Sequence, residues 1–304
     1  MSERTSWRAA LAALAAASGV GLASGRELVL FFAQMKDCAW AGVAAASALY
    51  GLLVGGAAAF AARVSRESPL ARACEALRLL LAALVSAFML YRLGRVGALT
   101  LPLRHGYVFG AGFGLLAALA LNLPSDRGQA RLGLVVAVYA GGFFLANALD
   151  PRPVTLHRAE AVEFALQKNL WAALALAAPY AAINACAAHW RLGRMGVRMS
   201  ISPASLGVKS ALLCAALLSP AVWALLRAGD EAMAQPMPWV VLSARWGLAG
   251  FWLCAGLCAL CAAATLSAAL GLMLNRLNRG GLDRARAAGA LALALVLLGI
   301  LSCQ

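Results

Sequence analysis

Apolar residues in this chain do not alternate with polar ones. They come in long runs separated by short gaps rich in arginine, proline and glycine. A helix rises 1.5 Å per residue and a bilayer's hydrocarbon core is about 30 Å thick, so each crossing takes roughly 20 apolar residues. The runs predict nine crossing helices, at Ala9–Phe32, Ala39–Ala62, Cys74–Tyr91, Gly106–Leu123, Leu132–Leu149, Ala161–Ala188, Leu206–Leu226, Trp246–Leu274 and Ala287–Leu301. The gaps Arg63–Arg72, Pro124–Gly128, Asp150–Pro153, Arg191–Pro203 and Asn275–Asp283 carry turn signals. None has room for a soluble domain, so residues 1–304 read as one polytopic, all-α membrane domain. The stretch Gln235–Ser243, with Pro236 and Pro238, predicts a short helix along the outer surface before the eighth crossing.

Composition agrees. Hydrophobic residues make up 63% of the chain and charged ones 12%, against roughly half and a quarter in soluble domains. The net charge of +14 would suit a nucleic-acid binder, but most of the 26 basic residues lie in the gaps, where they set topology. Nucleic acid is therefore not an expected partner; the bilayer is. An N-terminus in the cytoplasm places fourteen of the gap arginines inside, against eight basic residues outside, at Lys36, Arg92, Arg95, Arg104, Arg152, Arg158, Arg227 and Arg245. Arg4 and Arg8 before Ala9–Ala17 imitate a secretory signal, but the apolar run resumes at Leu28–Phe32, so the segment reads as a first crossing.

Catalytic and metal chemistry find little support. Cys254, Cys258 and Cys261 share a helical face without a neighbouring His, Asp or Glu, as small packing residues would. His105, His157 and His189 lie at loop edges and form no ligand cluster. No phosphate-binding loop or Ser-His-Asp arrangement is present. The chain is not expected to be an enzyme, or to carry a cofactor or a metal.

The most informative stretch is Ser18-Gly19-Val20-Gly21-Leu22-Ala23-Ser24-Gly25-Arg26-Glu27, inside the first apolar run. Three glycines and two serines weaken a helix there, and Arg26 and Glu27 follow at membrane depth, where ionisable groups face protein or water-filled cavities. Two readings fit. In one the helix is broken and its unwound backbone binds a solute or ion. In the other Gly21 and Gly25 form a small-residue packing face, which leaves the Arg-Glu pair unexplained.

The run Gly19–Glu27, followed by Phe31-Phe32, resembles the first-helix signature of the YkvI-like bacterial membrane proteins, with Leu22 where that family usually has Phe. The family is similar to the amino acid–polyamine–cation transporter superfamily. The resemblance implies a LeuT-type fold of two inverted repeats, here about 9–149 and 161–301, with broken first and sixth helices and the last of ten helices apparently missing. It implies a solute site at Gly19, Gly21, Ser24, Gly25, Arg26 and Glu27. It also implies a cation site for Na+ from the carbonyls of Ala17 and Val20 and the hydroxyls of Thr265 and Ser267. Two residues apart on a helix, Thr265 and Ser267 diverge by about 200°, so both do not face one ion easily. The sixth crossing is open to two readings: a second break at Gln167-Lys168-Asn169, adding Lys168 and Asn169 to the solute site, or a helix that starts at Leu170. A Glu75–Arg78 pair on one face and a snorkelling Lys209 complete the charged residues near the crossings.

The expectation is an ion-coupled secondary transporter of a small polar solute, such as an amino acid or amine, in a bacterial cytoplasmic membrane. Coupling would use H+ at Glu27 or Na+ near Thr265. The alternative is a non-transporting scaffold or sensor that keeps the transporter fold.

Overall fold

The computed structural model describes residues 3–63, 69–100, 106–122, 126–152, 169–192 and 202–279. Among these the regular elements are helices: α1 (Glu3–Ala17), α2 (Val20–Ser24), α3 (Arg26–Phe31), α4 (Ala39–Arg63), α5 (Pro69–Thr100), α6 (Gly106–Ala120), α7 (Asp126–Leu149), α8 (Leu170–Leu192), α9 (Pro203–Ala228), α10 (Asp230–Ala234), α11 (Pro238–Ser243) and α12 (Gly247–Arg279). Six stretches are long and apolar enough to cross a membrane: Ala33–Phe60, Ala73–Ala98, Arg127–Leu149, Leu170–Leu192, Pro203–Ala228 and Pro238–Arg276. This is the architecture of a multi-pass membrane protein.

The expected nine crossings become six among the described residues, for three reasons. The first apolar run is divided into α1, α2 and α3 and forms no single long helix. At 15 residues, α6 rises only about 22 Å, short of the hydrocarbon thickness. The expected ninth crossing, Ala287–Leu301, lies outside the described residues. The sixth helix starts at Leu170, with Asn169 before it; Glu163, Gln167 and Lys168 lie outside the described residues.

The third helix runs well past its expected end at Tyr91. Leucine and arginine favour helix beyond that point, and the continuation packs closely on α6, where Gly97 faces Gly110. Arg92 and Arg95 are therefore helical residues of α5, which removes them from the basic outer loop that the sequence suggested.

Two groups of helices pack together. One comprises α4, α7, α8 and α9; the other comprises α5, α6 and α12. The first segment lies between them: α1 touches α7, α8, α9 and α12, and α2 rests on α12. Every residue of Cys261–Leu270 in α12 is buried. By contrast α5 exposes Leu77, Leu80, Leu84 and Phe88, an apolar face for lipid.

Arginines clamp the end of α7. Arg245 donates to the Asn147 carbonyl at 3.2 Å and the Arg152 carbonyl at 2.8 Å, and Arg227 donates to the Ala148 carbonyl. The Asn147 and Ala148 carbonyls lie in the final turn, where the helix itself leaves them unpaired, and the Arg152 carbonyl lies just beyond its end. The Asp150 carboxylate accepts from Arg152 at 2.8 Å and from the Trp246 indole at 2.6 Å. Hydrogen bonds from Arg152 hold this carboxyl well below the usual carboxylate range.

Lys209 does not snorkel outward. Its ammonium donates to the Ser6 hydroxyl and to the Glu3 carbonyl, and lies 5.3 Å from the Trp7 ring centroid, fastening the start of α1 to α9. Glu75 pairs with Arg276 at 3.4 Å and not with Arg78, whose guanidinium donates to the His189 carbonyl at 2.9 Å.

Candidate functional site

The first segment is interrupted twice. α1 stops at Ala17, Gly19 is extended (ψ 177°), and the helical ladder resumes where the Ala23 N–H reaches the Gly19 carbonyl. The second interruption is Gly25, whose φ of +84° lies in the left-handed region; its N–H is shared by the Gly21 and Leu22 carbonyls. Any other L-residue at Gly25 would be strained, and a Cβ there would stand 3.0 Å from the Trp239 indole nitrogen. The two glycines of the GxxxG spacing thus act as a turn and a gap, not as a helix-packing face.

Breaks at membrane depth leave carbonyls that need donors. Side chains from distant elements supply them. The Thr265 hydroxyl of α12 donates to Ala16 at 2.8 Å, the Trp239 indole of α11 donates to Leu22 at 3.0 Å, and the Cys258 thiol of α12 donates to Ala23 at 3.4 Å. Within the segment, the Ser24 hydroxyl donates to Gly21 at 3.1 Å and the Ser18 hydroxyl to Leu14 at 2.6 Å. Trp239 was expected on the outer surface; it is fully buried, stacked on Phe144 at 4.8 Å, because α11 turns inward onto α2.

The expected residues are brought together only in part. Gly19, Gly21, Ser24, Gly25, Arg26 and Glu27 cluster at the two breaks. Thr265 reaches the first break, with its hydroxyl 3.8 Å from where a Cβ on Gly19 would lie. It is bonded to Ala16, however, and not poised with Ala17 and Val20. Ser267 points away from the break: it donates to Ala264 at 2.8 Å and accepts from Arg191 at 2.7 Å. The two hydroxyls of α12 thus face different partners. Asn169 caps α8, its side-chain carbonyl accepting from the Ala172 N–H at 2.7 Å. Lys168 lies outside the described residues.

Arg26 and Glu27 do not pair with each other. Arg26 donates to the Met233 carbonyl of α10 at 3.3 Å, tying the α10–α11 segment across the break. Lys36 adds a second tie, an ion pair with Asp230 at 2.6 Å. The Glu27 carboxyl folds back over Gly21, on the spot where a Cβ at Gly21 would fall. Among the described residues no side chain donates a hydrogen bond to it. Arg92 of α5 and Tyr180 of α8 stand within electrostatic reach of it. Phe31 and Phe32 pack on Tyr180, at ring separations of 5.4 and 4.8 Å.

On the other side of the first break lies a cavity of about 20 Å3, lined by Ala17, Ser18, Leu22, Tyr50, Tyr180 and Cys214 among others. It has room for about one water molecule. The buried Tyr50 hydroxyl has no hydrogen-bond partner among the described residues. Sequence reading missed Arg92, Tyr50, Tyr180, Trp239 and Cys258. A lone phenol in the alanine-rich α4 is the one signal that pointed to any of them.

No protein-family description and no curated protein matches this chain.

Proposed function

We propose that the chain is a secondary transporter of a small polar solute, such as an amino acid or amine, with a LeuT-type core in a bacterial cytoplasmic membrane. The single observation that carries this reading is the doubly interrupted first helix, with the Glu27 carboxyl folded over Gly21 and without a hydrogen-bond donor among the described residues. Amides at the start of α2 and a carboxylate beside them suit a solute bearing both a negative and a positive group. Grouping into α4/α7/α8/α9 and α5/α6/α12, with the first segment between them, supports two bodies that rock against each other around that site. A cavity of about 20 Å3 is too small for an amino acid, so this conformation is read as closed. Loading requires the α10–α11 segment to lift and release Arg26 and Trp239. With the Thr265 hydroxyl committed to Ala16, a proton at Glu27 is the better-supported coupling ion, and Na+ the weaker one.

The test is uptake into proteoliposomes across a panel of amino acids and amines, with and without a proton or sodium gradient. Gradient-driven uptake that Glu27→Gln abolishes supports the reading. A second reading, a non-transporting scaffold or sensor, is favoured by the protein's own donors filling the carbonyls freed at the breaks. A folded, reconstituted protein that moves no solute under either gradient establishes that reading instead.

A further inference from the structure

A second concave feature lies on the outside of the bundle. A groove of about 490 Å3 runs between α4, α7 and α9, lined by Trp40, Gly141, Leu145, Pro220 and Trp223, with little polar surface. Trp40, Leu145 and Trp223 are 45%, 46% and 40% exposed. Its walls belong to crossing helices, so lipid is the medium it faces, and two tryptophans at its rim mark the level of the headgroups. The volume is of the size of one acyl chain.

Arg227 stands directly above it. It lies one turn beyond Trp223 on α9, and it donates to the Ala148 carbonyl, one turn beyond Leu145 on α7. The guanidinium therefore bridges the two walls at the mouth of the groove. Arg227 is exposed, and among the described residues it has no carboxylate partner. Asp150 is taken by Arg152 and Arg245, at 2.8 and 3.9 Å, and Asp230 by Lys36, at 2.6 Å. An acyl-sized apolar groove capped by an exposed cation fits a lipid whose headgroup carries a net negative charge.

We infer that this groove binds one anionic phospholipid, with an acyl chain between Trp40 and Trp223 and its phosphate on Arg227. The site is separate from the break in the first helix and does not rest on the transport reading.

The experiment uses the full chain in phosphatidylcholine vesicles containing a small, equal mole fraction of either dibrominated phosphatidylglycerol or dibrominated phosphatidylcholine, with tryptophan quenching as the readout. Brominated phosphatidylglycerol is expected to quench as if enriched about fivefold, the factor for one basic residue near the surface. Arg227→Gln is expected to bring the two lipids level. The double variant Trp40→Phe/Trp223→Phe is expected to lose the excess quenching. A Cβ at Gly141 meets nothing within 4 Å, so Gly141→Leu fills the groove without a clash and is expected to reduce quenching by both lipids. Equal quenching by the two lipids in the unaltered chain, the mark of ordinary boundary lipid, overturns the inference. So does an excess that survives Arg227→Gln.

Discussion

Gly21 leaves a gap that the Glu27 carboxyl fills, and Gly25 supplies the left-handed turn that brings Glu27 back over it. Each glycine makes a prediction. Gly25→Ala is expected to destabilise the fold by about 1–2 kcal/mol, the penalty for an L-residue in that conformation, seen as a lower thermal midpoint in detergent. Gly21→Ala is expected to clash with the carboxyl, at about 1–3 kcal/mol. Less than half of that loss should remain in a Glu27→Ala background, because the two groups compete for the same space. Equal losses in the two backgrounds would place Glu27 elsewhere. At this scale the sequence was partly legible: glycine marks where backbone bends, and an Arg-Glu pair in an apolar run marks burial. Which way each side chain turns was not legible, because Arg26 finds Met233 and Glu27 finds Gly21 only once distant elements are packed.

Elements distant in sequence hold the interrupted segment open. Trp239 of α11 is one fastening, and Trp239→Phe leaves the Leu22 carbonyl with only its share of the Gly25 N–H, at an expected cost of about 0.5–1.5 kcal/mol. Hydrogen exchange should accelerate at the amides of α2 and α3 and stay unchanged in α4; unchanged exchange in α2 would remove Trp239 from this role. The clamp at the end of α7 makes a pH prediction. The Asp150 carboxyl is held below its unfolded value, chiefly by Arg152, so the carboxylate form contributes stability at pH above about 4. That contribution is lost as pH falls toward the folded-state value. The thermal midpoint of the unaltered chain should exceed that of Asp150→Asn at pH 7, and the gap should narrow on acidification below about pH 4. A gap independent of pH would contradict it. Hydropathy patterning located α4, α7, α9 and α12 because their apolar runs are continuous. It overextended the first crossing and stopped α5 early at Tyr91. Mean apolarity cannot see a glycine-induced break, and it treats arginines as an end even where an α6 contact carries the helix onward.

At the scale of the molecule, the described residues form two sets of helices with the broken segment between them, and six of their stretches are long enough to cross a bilayer. Charge asymmetry predicts the side on which each end lies. With the N-terminus in the cytoplasm, the start of α4 is outside and the start of α5 inside. Single-cysteine proteins retaining Cys38 or Cys74 should therefore react differently in right-side-out vesicles, a membrane-impermeant maleimide labelling Cys38 and sparing Cys74. The reverse pattern would invert the topology. The multi-pass membrane class was legible from the sequence because lipid imposes a length rule on every crossing. The packing of α11 onto α2, which builds the site, was not, since nothing local in Gln235–Ser243 says which carbonyl Trp239 will meet.

The interruption of the first crossing carries the functional account, and an experimental density map of residues 14–32 in a lipid nanodisc tests it most directly. The expected map has extended backbone at Ser18–Gly19, a left-handed turn at Gly25, and the Glu27 carboxyl lying on Gly21. One unbroken helix through Phe31, with Glu27 turned toward water or headgroups, would contradict it.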